Sequence, residues 1–161
     1  MASGSETGLI IIHSTSSNNI EYRADNVFAN WVSDLCFIPN GSGVVACGWD
    51  VDEGSNLKVL SPFLKLVQTL EGHNGTVRCV TVSPSGSHFA SGGDGKVIIW
   101  SEPGEGGEWA RVQVLEDHTG SIWAVCFSPD GKQLATGGFD KLINLYSFNV
   151  CAKMAFPSLK L

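Results

Sequence analysis

The sequence has little charge for its length, and positive charge is especially scarce. Only 16% of its 161 residues are charged, and 10 Lys and Arg stand against 16 Asp and Glu, for a formal net charge of −6. Such a chain is a poor overall match for nucleic acid, although a local basic patch could still contact phosphate. Hydrophobic residues make up 43%, so the composition of a disordered protein is also lacking and a packed globular structure is predicted.

Membrane, export and cysteine signals are missing as well. No run of 18 apolar residues exists, so no membrane span and no membrane partner is predicted. The first residues lack the basic region and apolar core of a secretory signal, which favours a cytoplasmic location. The five cysteines include no C-x-x-C pair, which argues against a zinc site or a disulfide framework. Four of them lie in apolar runs, which predicts small buried side chains in a reducing compartment.

Motifs of catalysis and cofactor binding are equally absent. The chain contains no G-x-S-x-G and no H-E-x-x-H. Its Gly-rich stretches at 41–43 and 104–107 neither open a predicted helix nor carry a lysine, so they predict no phosphate site. The sequence therefore predicts a protein that is not an enzyme, with no catalytic residues, no metal and no cofactor.

The sequence does contain a threefold repeat. Pro39, Pro84 and Pro129 follow one another at intervals of 45 residues, and each has a glycine two positions later. An apolar run precedes each Pro-x-Gly turn and a second apolar run follows it. Short runs rich in Val, Ile, Phe and Thr between Pro, Asn, Asp and Gly predict β-strands joined as hairpins.

Further strands follow each hairpin. Third strands are predicted at 57–60, 96–100 and 142–146, and more polar fourth strands at 64–70 and 111–115. Four antiparallel strands in 40 to 45 residues is the spacing of a β-propeller blade. The predicted fold class is therefore all-β, a partial propeller of about three and a half four-stranded blades.

The repeat resembles the WD40 family in its His, Ser or Thr, Asp and aromatic positions. In that family these residue types form a hydrogen-bonded relay that ties the outer loop to the blade. The resemblance implies two structural relays, formed by His73, Ser91, Asp94 and Trp100, and by His118, Thr136, Asp140 and Tyr146. It thereby implies that His73 and His118 are structural rather than catalytic or metal-binding.

Four residues depart from the family pattern. Asp117 stands where the family usually has Gly, and Tyr146 stands where it usually has Trp. The unit around Trp31 has Val27 and Phe28 in place of Gly-His, so its relay is predicted to be incomplete even though Asp50 is retained.

Within the WD40 proteins, the chain resembles the family of the receptor for activated C kinase in four stretches that occur in the same order, residues 30–40, 46–50, 80–87 and 90–93. Proteins of that family are cytoplasmic scaffolds on the small ribosomal subunit. The resemblance implies a scaffold in translation and signalling, with proteins as partners: the small ribosomal subunit, through its proteins and rRNA, and signalling kinases. Two alternatives stay open. One is a WD40 subunit of another complex, either G-protein β-like or a ubiquitin-ligase adaptor. The other is an enzyme, which would need convergent polar groups in a pocket, and the sequence shows none.

The repeat also predicts how the chain is divided. Residues 1–161 form one propeller segment, made of a partial blade without its first strand at 1–25, blades at 26–70 and 71–115, and a last blade with a C-terminal tail at 116–161. The family typically has seven blades, so this chain corresponds to about half a ring. It is expected to be a fragment, or one part of a split propeller that another chain completes.

Large aromatic residues lie in loops where the other units have small residues. Trp31, Trp49 and Phe139 are candidate partner-binding residues, because exposed aromatic side chains frequently anchor protein interfaces. The alternative for the two tryptophans is packing between adjacent loops.

Overall fold

The computed structural model describes residues 1–17, 19–51, 56–102, 104 and 107–148, and the backbone of 156–160. Within this part of the chain, all regular secondary structure is β-strand, arranged in four antiparallel sheets. Within each sheet, strands that follow one another in sequence pair with each other, as expected for hairpins joined by short turns.

The strands group by sheet in chain order. The first sheet comprises β1 (Ala2–Gly4), β2 (Ile10–His13) and β3 (Ile20–Ala24). The second comprises β4 (Val32–Phe37), β5 (Val44–Gly48), β6 (Leu57–Leu60) and β7 (Leu66–Thr69). The third comprises β8 (Cys79–Val82), β9 (His88–Gly92), β10 (Val97–Ser101) and β11 (Ala110–Leu115). The fourth comprises β12 (Ile122–Phe127), β13 (Gln133–Gly138), β14 (Ile143–Ser147) and β15 (Phe156–Lys160).

The repeated Pro-x-Gly signals form the turns between the first two strands of the second, third and fourth sheets. Gly41, Gly86 and Gly131 have φ angles of 77°, 76° and 69°, a left-handed conformation that glycine adopts without steric cost. Each glycine N–H donates to the carbonyl three residues earlier, at 2.8 to 2.9 Å. The turns therefore close for the reason that the sequence predicts.

Apolar side chains from neighbouring sheets pack together in three cores. Ile10, Phe28 and Val44 belong to the core between the first and second sheets. Phe89 and Trp100 pack against residues of the second sheet. The remaining core joins the third sheet to the fourth. Because successive side chains of a strand point to opposite faces, a sheet with neighbours on both sides needs apolar residues on both faces.

A main-chain hydrogen bond links each sheet to the next at equivalent positions. An N–H at or just before the start of one sheet's first strand donates to a carbonyl at or just after the end of β1, β5 or β9 in the preceding sheet. These bonds are Val32 to Ser5 at 3.0 Å, Val77 to Gly48 at 3.2 Å, and Ile122 to Gly93 at 2.8 Å. The first strands β4, β8 and β12 also contact one another in turn and form the inner edge of the arc.

The four sheets form an open arc, which confirms the predicted partial propeller: this chain alone does not close the ring. Among the described residues, no sheet packs on the outward face of the fourth sheet, and Ile143 there is 67% exposed. Cys126 lies on the same face and is exposed, so its predicted burial is wrong. Cys47 and Cys79 are buried between sheets as predicted, whereas Cys151 lies outside the described residues.

Candidate functional site

The antiparallel strand order places two kinds of loop at opposite ends of each sheet. Residues before the first strand and after the second strand lie at one end, here called the upper rim. The Pro-x-Gly turns and the loop between third and fourth strands, which carries Phe63, lie at the other end, the lower rim. The aromatic residues Trp31, Trp49 and Phe139 therefore all belong to the upper rim, as do the two histidines of the implied relays.

In the third sheet, His73, Ser91 and Trp100 form a buried hydrogen-bonded group. The Ser91 hydroxyl lies 2.8 Å from His73 Nε2 and accepts a hydrogen bond of 2.9 Å from Trp100 Nε1. Trp100 is 2% exposed and stacks on Phe89 with ring centroids 5.9 Å apart. The group therefore links the loop before β8 to β9 and β10.

Asp94 does not join this group. The buried Nδ1 of His73 has no hydrogen-bond partner among the described residues, and Asp94 Oδ1 instead accepts a hydrogen bond of 3.2 Å from the Ser121 hydroxyl. The His–Asp contact that the family resemblance implies for this sheet is therefore missing. Asp94 connects the upper rims of the third and fourth sheets.

In the fourth sheet, the His118 ring is held on both nitrogens. Nδ1 lies 2.9 Å from Asp140 Oδ2, and Nε2 lies 2.8 Å from the Thr136 hydroxyl. The Asp140 carboxylate also accepts hydrogen bonds from the N–H groups of Thr119 and Leu142. The carboxylate is thus fully engaged in holding the loop to the sheet.

The two departures from the family pattern in this sheet contact each other. The Tyr146 hydroxyl donates a hydrogen bond of 3.1 Å to Asp117 Oδ2. Burial, together with the negative charge of Asp117, raises the pKa of Tyr146 to about 12, so the phenol stays protonated and able to donate. Tyr146 also has a side-chain hydrogen bond with Thr136. It is therefore tied both to Thr136 and to Asp117, the residue that replaces the usual glycine.

The second sheet uses a lysine where the relay histidine is missing. Lys58 Nζ donates to Asp50 Oδ2 and to the Val27 carbonyl, each at 2.6 Å, and lies 4.7 Å from the centre of the Phe28 ring. Although burial alone would raise the pKa of Asp50, the hydrogen bonds from Lys58 and from two backbone N–H groups lower it. Sequence reasoning missed this arrangement, because nothing local relates Lys58 to Asp50 until β6 pairs with β5.

Lys58→Met is expected to destabilise the chain by about 2 kcal/mol, since it removes two charge-assisted hydrogen bonds and leaves a carboxylate with little solvent to compensate it. The measurement is the free energy of unfolding from denaturant titration. Lys58→Met combined with Asp50→Asn should cost less than the sum of the two single changes. Strict additivity in this double-mutant cycle would contradict a direct Lys58–Asp50 interaction.

The predicted partner-binding residues are exposed on the upper rim. Trp31 and Trp49 are 39% and 40% exposed, and their ring centroids are 4.9 Å apart. The Trp49 N–H donates to the Trp31 carbonyl at 3.1 Å, so backbone as well as side chains hold the pair. Phe139 is 73% exposed and occupies the corresponding position of the fourth sheet, where its N–H donates to the Ser121 carbonyl. The tryptophans pack on each other and still present their faces to solvent.

Sequence reasoning did not select Arg78 and Trp123, which also lie on the upper rim. Together with Ser33 they occupy equivalent positions at intervals of 45 residues. The pairing of β4 with β5 and of β12 with β13 shifts register at Ser33 and Trp123, as a β-bulge does. The Arg78 guanidinium stacks on the Trp123 ring at 4.6 Å. The repeat alone could have aligned these three positions, but only the structure brings the side chains together.

Other chemistry is sparse in the part of the chain that the structure describes. No group of three or more His, Cys, Asp and Glu side chains there could hold a metal ion. None of the described residues forms a helix long and apolar enough to cross a membrane.

Comparison with known proteins finds WD repeats in the part of the chain that contains the two histidine groups. The family model "WD domain, G-beta repeat" matches residues 64–101 and 109–147, which include the third sheet and the first three strands of the fourth. The small ribosomal subunit protein RACK1 of Drosophila melanogaster is 44% identical over 75 residues, which are 44% of this chain and 22% of that protein. The cross-pathway control WD-repeat protein 2 of Flammulina velutipes is 44% identical over 81 residues, which are 47% of this chain and 24% of that protein.

The matched segments thus span less than a quarter of each of these relatives. Within the chain, the two matched repeats contain both histidine groups, and their strands are β7 to β14. The sequence repeat, the four-stranded sheets and the family model agree: the chain contains WD40 repeats and has the fold of a partial β-propeller.

Proposed function

We propose that this chain is a non-enzymatic scaffold that binds proteins through its upper rim. The observation that carries the proposal is the exposed Trp31–Trp49 pair. Two large aromatic rings held 4.9 Å apart, each with about two fifths of its surface in solvent, offer a rigid apolar surface at little entropic cost. The two histidine groups hold their loops to the sheets through hydrogen bonds to Ser91 and Thr136.

We infer further that the small ribosomal subunit, including its proteins and rRNA, is a partner, with signalling kinases as additional ones. The support is the similarity to a protein named as a component of the small ribosomal subunit, which covers part of this chain only. The proposed location is cytoplasmic for the same reason. A further chain that completes the propeller fits the open arc.

Co-sedimentation with purified small ribosomal subunits tests the ribosomal partner. The wild-type chain is expected in the subunit fraction of a sucrose gradient. Its absence from that fraction would reject the ribosomal proposal, and a protein partner would then have to be sought in another WD40 complex.

Trp49→Ala is expected to weaken binding to the subunit by about tenfold or more, since truncating an aromatic anchor removes its buried contact area. Thermal unfolding should change little, because Trp49 lies at the rim and not between sheets. Phe63→Ala is a matched control, since Phe63 is a 61% exposed aromatic residue on the lower rim. Equal binding by the wild type and Trp49→Ala, or a fall in thermal stability alone, would show that the pair only packs the loops.

A further inference from the structure

A cleft of about 410 Å³ lies beside the tryptophan pair on the upper rim. It is lined by Trp31, Ser33, Asp34, Arg78, Cys79 and Trp123. Its walls come from the starts of three successive first strands, β4, β8 and β12, so three sheets must be assembled before it exists. It is called the Arg78 cleft below.

Arg78 is the cation of this cleft, and its guanidinium has no acceptor among the described residues. Its guanidinium carbon lies over the Trp123 ring, 4.6 Å from the ring centroid, as in a cation–π contact. Its buried Nε has no hydrogen-bond partner, and no ion pair involves Arg78 within the described residues. A planar guanidinium held on an aromatic face presents its remaining N–H groups to an incoming pair of oxygens.

The other polar groups of the cleft are already engaged or neutral. Asp34 accepts hydrogen bonds from the backbone N–H groups of Val80, at 3.0 Å, and Leu35, at 2.8 Å. Burial, with a further contribution from the charge of Asp34, raises the pKa of Cys79 to about 12, so its thiol is uncharged at neutral pH. The binding capacity of the cleft therefore rests on the guanidinium and on the apolar surfaces of Trp31 and Trp123.

We propose that the Arg78 cleft binds an acidic peptide segment of a protein partner, with a Glu or Asp carboxylate on the Arg78 guanidinium and a neighbouring apolar side chain on Trp31 and Trp49. The inference rests on the proposed function and names the chemistry of the partner that this rim selects. A carboxylate matches the fork of the guanidinium with two parallel hydrogen bonds, and the tryptophans supply the apolar contact beside it.

A peptide fits the cleft better than a nucleic acid does. Phosphate backbones require several cations along a track, whereas this cleft holds a single arginine next to the carboxylate of Asp34. The net charge of −6 opposes a polyanion as well. One carboxylate between apolar residues needs only one cation and two aromatic surfaces.

To test the inference, an array of short random peptides is incubated with the 161-residue chain, and the peptides that retain it are identified. Retained peptides are expected to be enriched in Glu and Asp next to apolar residues. For a retained peptide, Arg78→Gln should weaken binding by about tenfold, because charge-assisted hydrogen bonds are lost. A matched peptide with Gln in place of Glu should bind to the wild type and to Arg78→Gln with the same affinity. Arg78→Lys should bind the acidic peptide with an affinity between those of the wild type and Arg78→Gln, since lysine keeps the charge but lacks the two-pronged donor geometry of the guanidinium.

Arg111→Gln is the control, because Arg111 is an exposed arginine on the outer strand β11, outside the cleft. Circular dichroism of each variant checks that the sheets are retained, and Arg78→Glu should reverse the selection toward basic peptides.

Peptides whose binding depends on Trp49 but that show no acidic enrichment and no change in affinity on substitution of Arg78 would overturn this inference and leave the proposed function standing. The inference also fails if no peptide is retained, or if a random single-stranded RNA binds more tightly than any peptide in an Arg78-dependent manner. The ribosome sedimentation experiment tests the proposed function independently of the array.

Discussion

Trp100→Ala is expected to lower the free energy of unfolding by about 3–5 kcal/mol, the range for truncating a large buried aromatic residue. Trp100 is 2% exposed and lies in the core between the second and third sheets. Its removal opens a cavity beside Phe89 and also deprives the Ser91 hydroxyl of the hydrogen bond from Nε1. Denaturant titration followed by circular dichroism measures the loss.

Two further variants separate packing from hydrogen bonding in this prediction. Trp100→Phe keeps a ring on Phe89 and loses the indole N–H, so it should cost about 1–2 kcal/mol. Trp49→Ala truncates the same residue type at the upper rim, where it is 40% exposed, and should cost under about 1 kcal/mol. If Trp100→Ala cost no more than Trp49→Ala, Trp100 would not be a core residue of the arc.

The second large effect is a loss of stability as the pH falls from 6.5 to about 4. Burial, with a smaller contribution from the charge of Lys96, lowers the pKa of His73 from 6.5 to about 4. Between these values the unfolded chain binds a proton that the folded chain does not, so stability increases with pH across this window and levels off above 6.5. Between the plateau above pH 6.5 and pH values below about 4, the free energy of unfolding is expected to change by roughly 3 kcal/mol. Partial burial also lowers the pKa of His88, which adds to the trend in the same direction.

His73→Gln is expected to flatten this pH dependence, since glutamine can still bond to Ser91 and does not titrate. The measurement is the free energy of unfolding at several pH values between 4 and 7. His13→Gln, on the central strand β2 of the first sheet, is the control and should retain the slope of the wild type. A slope that survives His73→Gln would mean that other groups cause the acid sensitivity. A uniform loss of stability at every pH would show only that the hydrogen bond to Ser91 matters.

Local sequence signals were sufficient to predict the strands and turns. The Pro-x-Gly turns, repeated every 45 residues, form with positive φ at each glycine, because that geometry depends on a few adjacent residues. The predicted second strands at 44–48 and 88–92 coincide with β5 and β9. The third strands β10 and β14 begin one residue later than predicted, which is the usual uncertainty where a strand meets a turn.

The relays were less predictable, because they depend on side-chain direction as well as on residue type. Asp140 meets His118, whereas Asp94, the corresponding residue of the preceding sheet, turns to Ser121 and leaves His73 Nδ1 without a partner. Likewise, the family pattern marked the second sheet as incomplete and could not indicate that Lys58 would bind Asp50. Both outcomes depend on which side chains adjacent strands and sheets place within reach.

By itself, the sequence determined that this chain is an all-β repeat protein without a membrane-spanning run or a catalytic motif, and that large aromatic residues occur in its loops. Hydrophobic spacing and turn chemistry suffice for that, because they act within a few residues of the chain. The tertiary structure alone decided that Arg78 stacks on Trp123 beside Trp31, since these residues come from the starts of three different sheets. The packing between sheets and the register shifts at their inner strands place these side chains around one cleft, and no pattern within a single repeat carries that information.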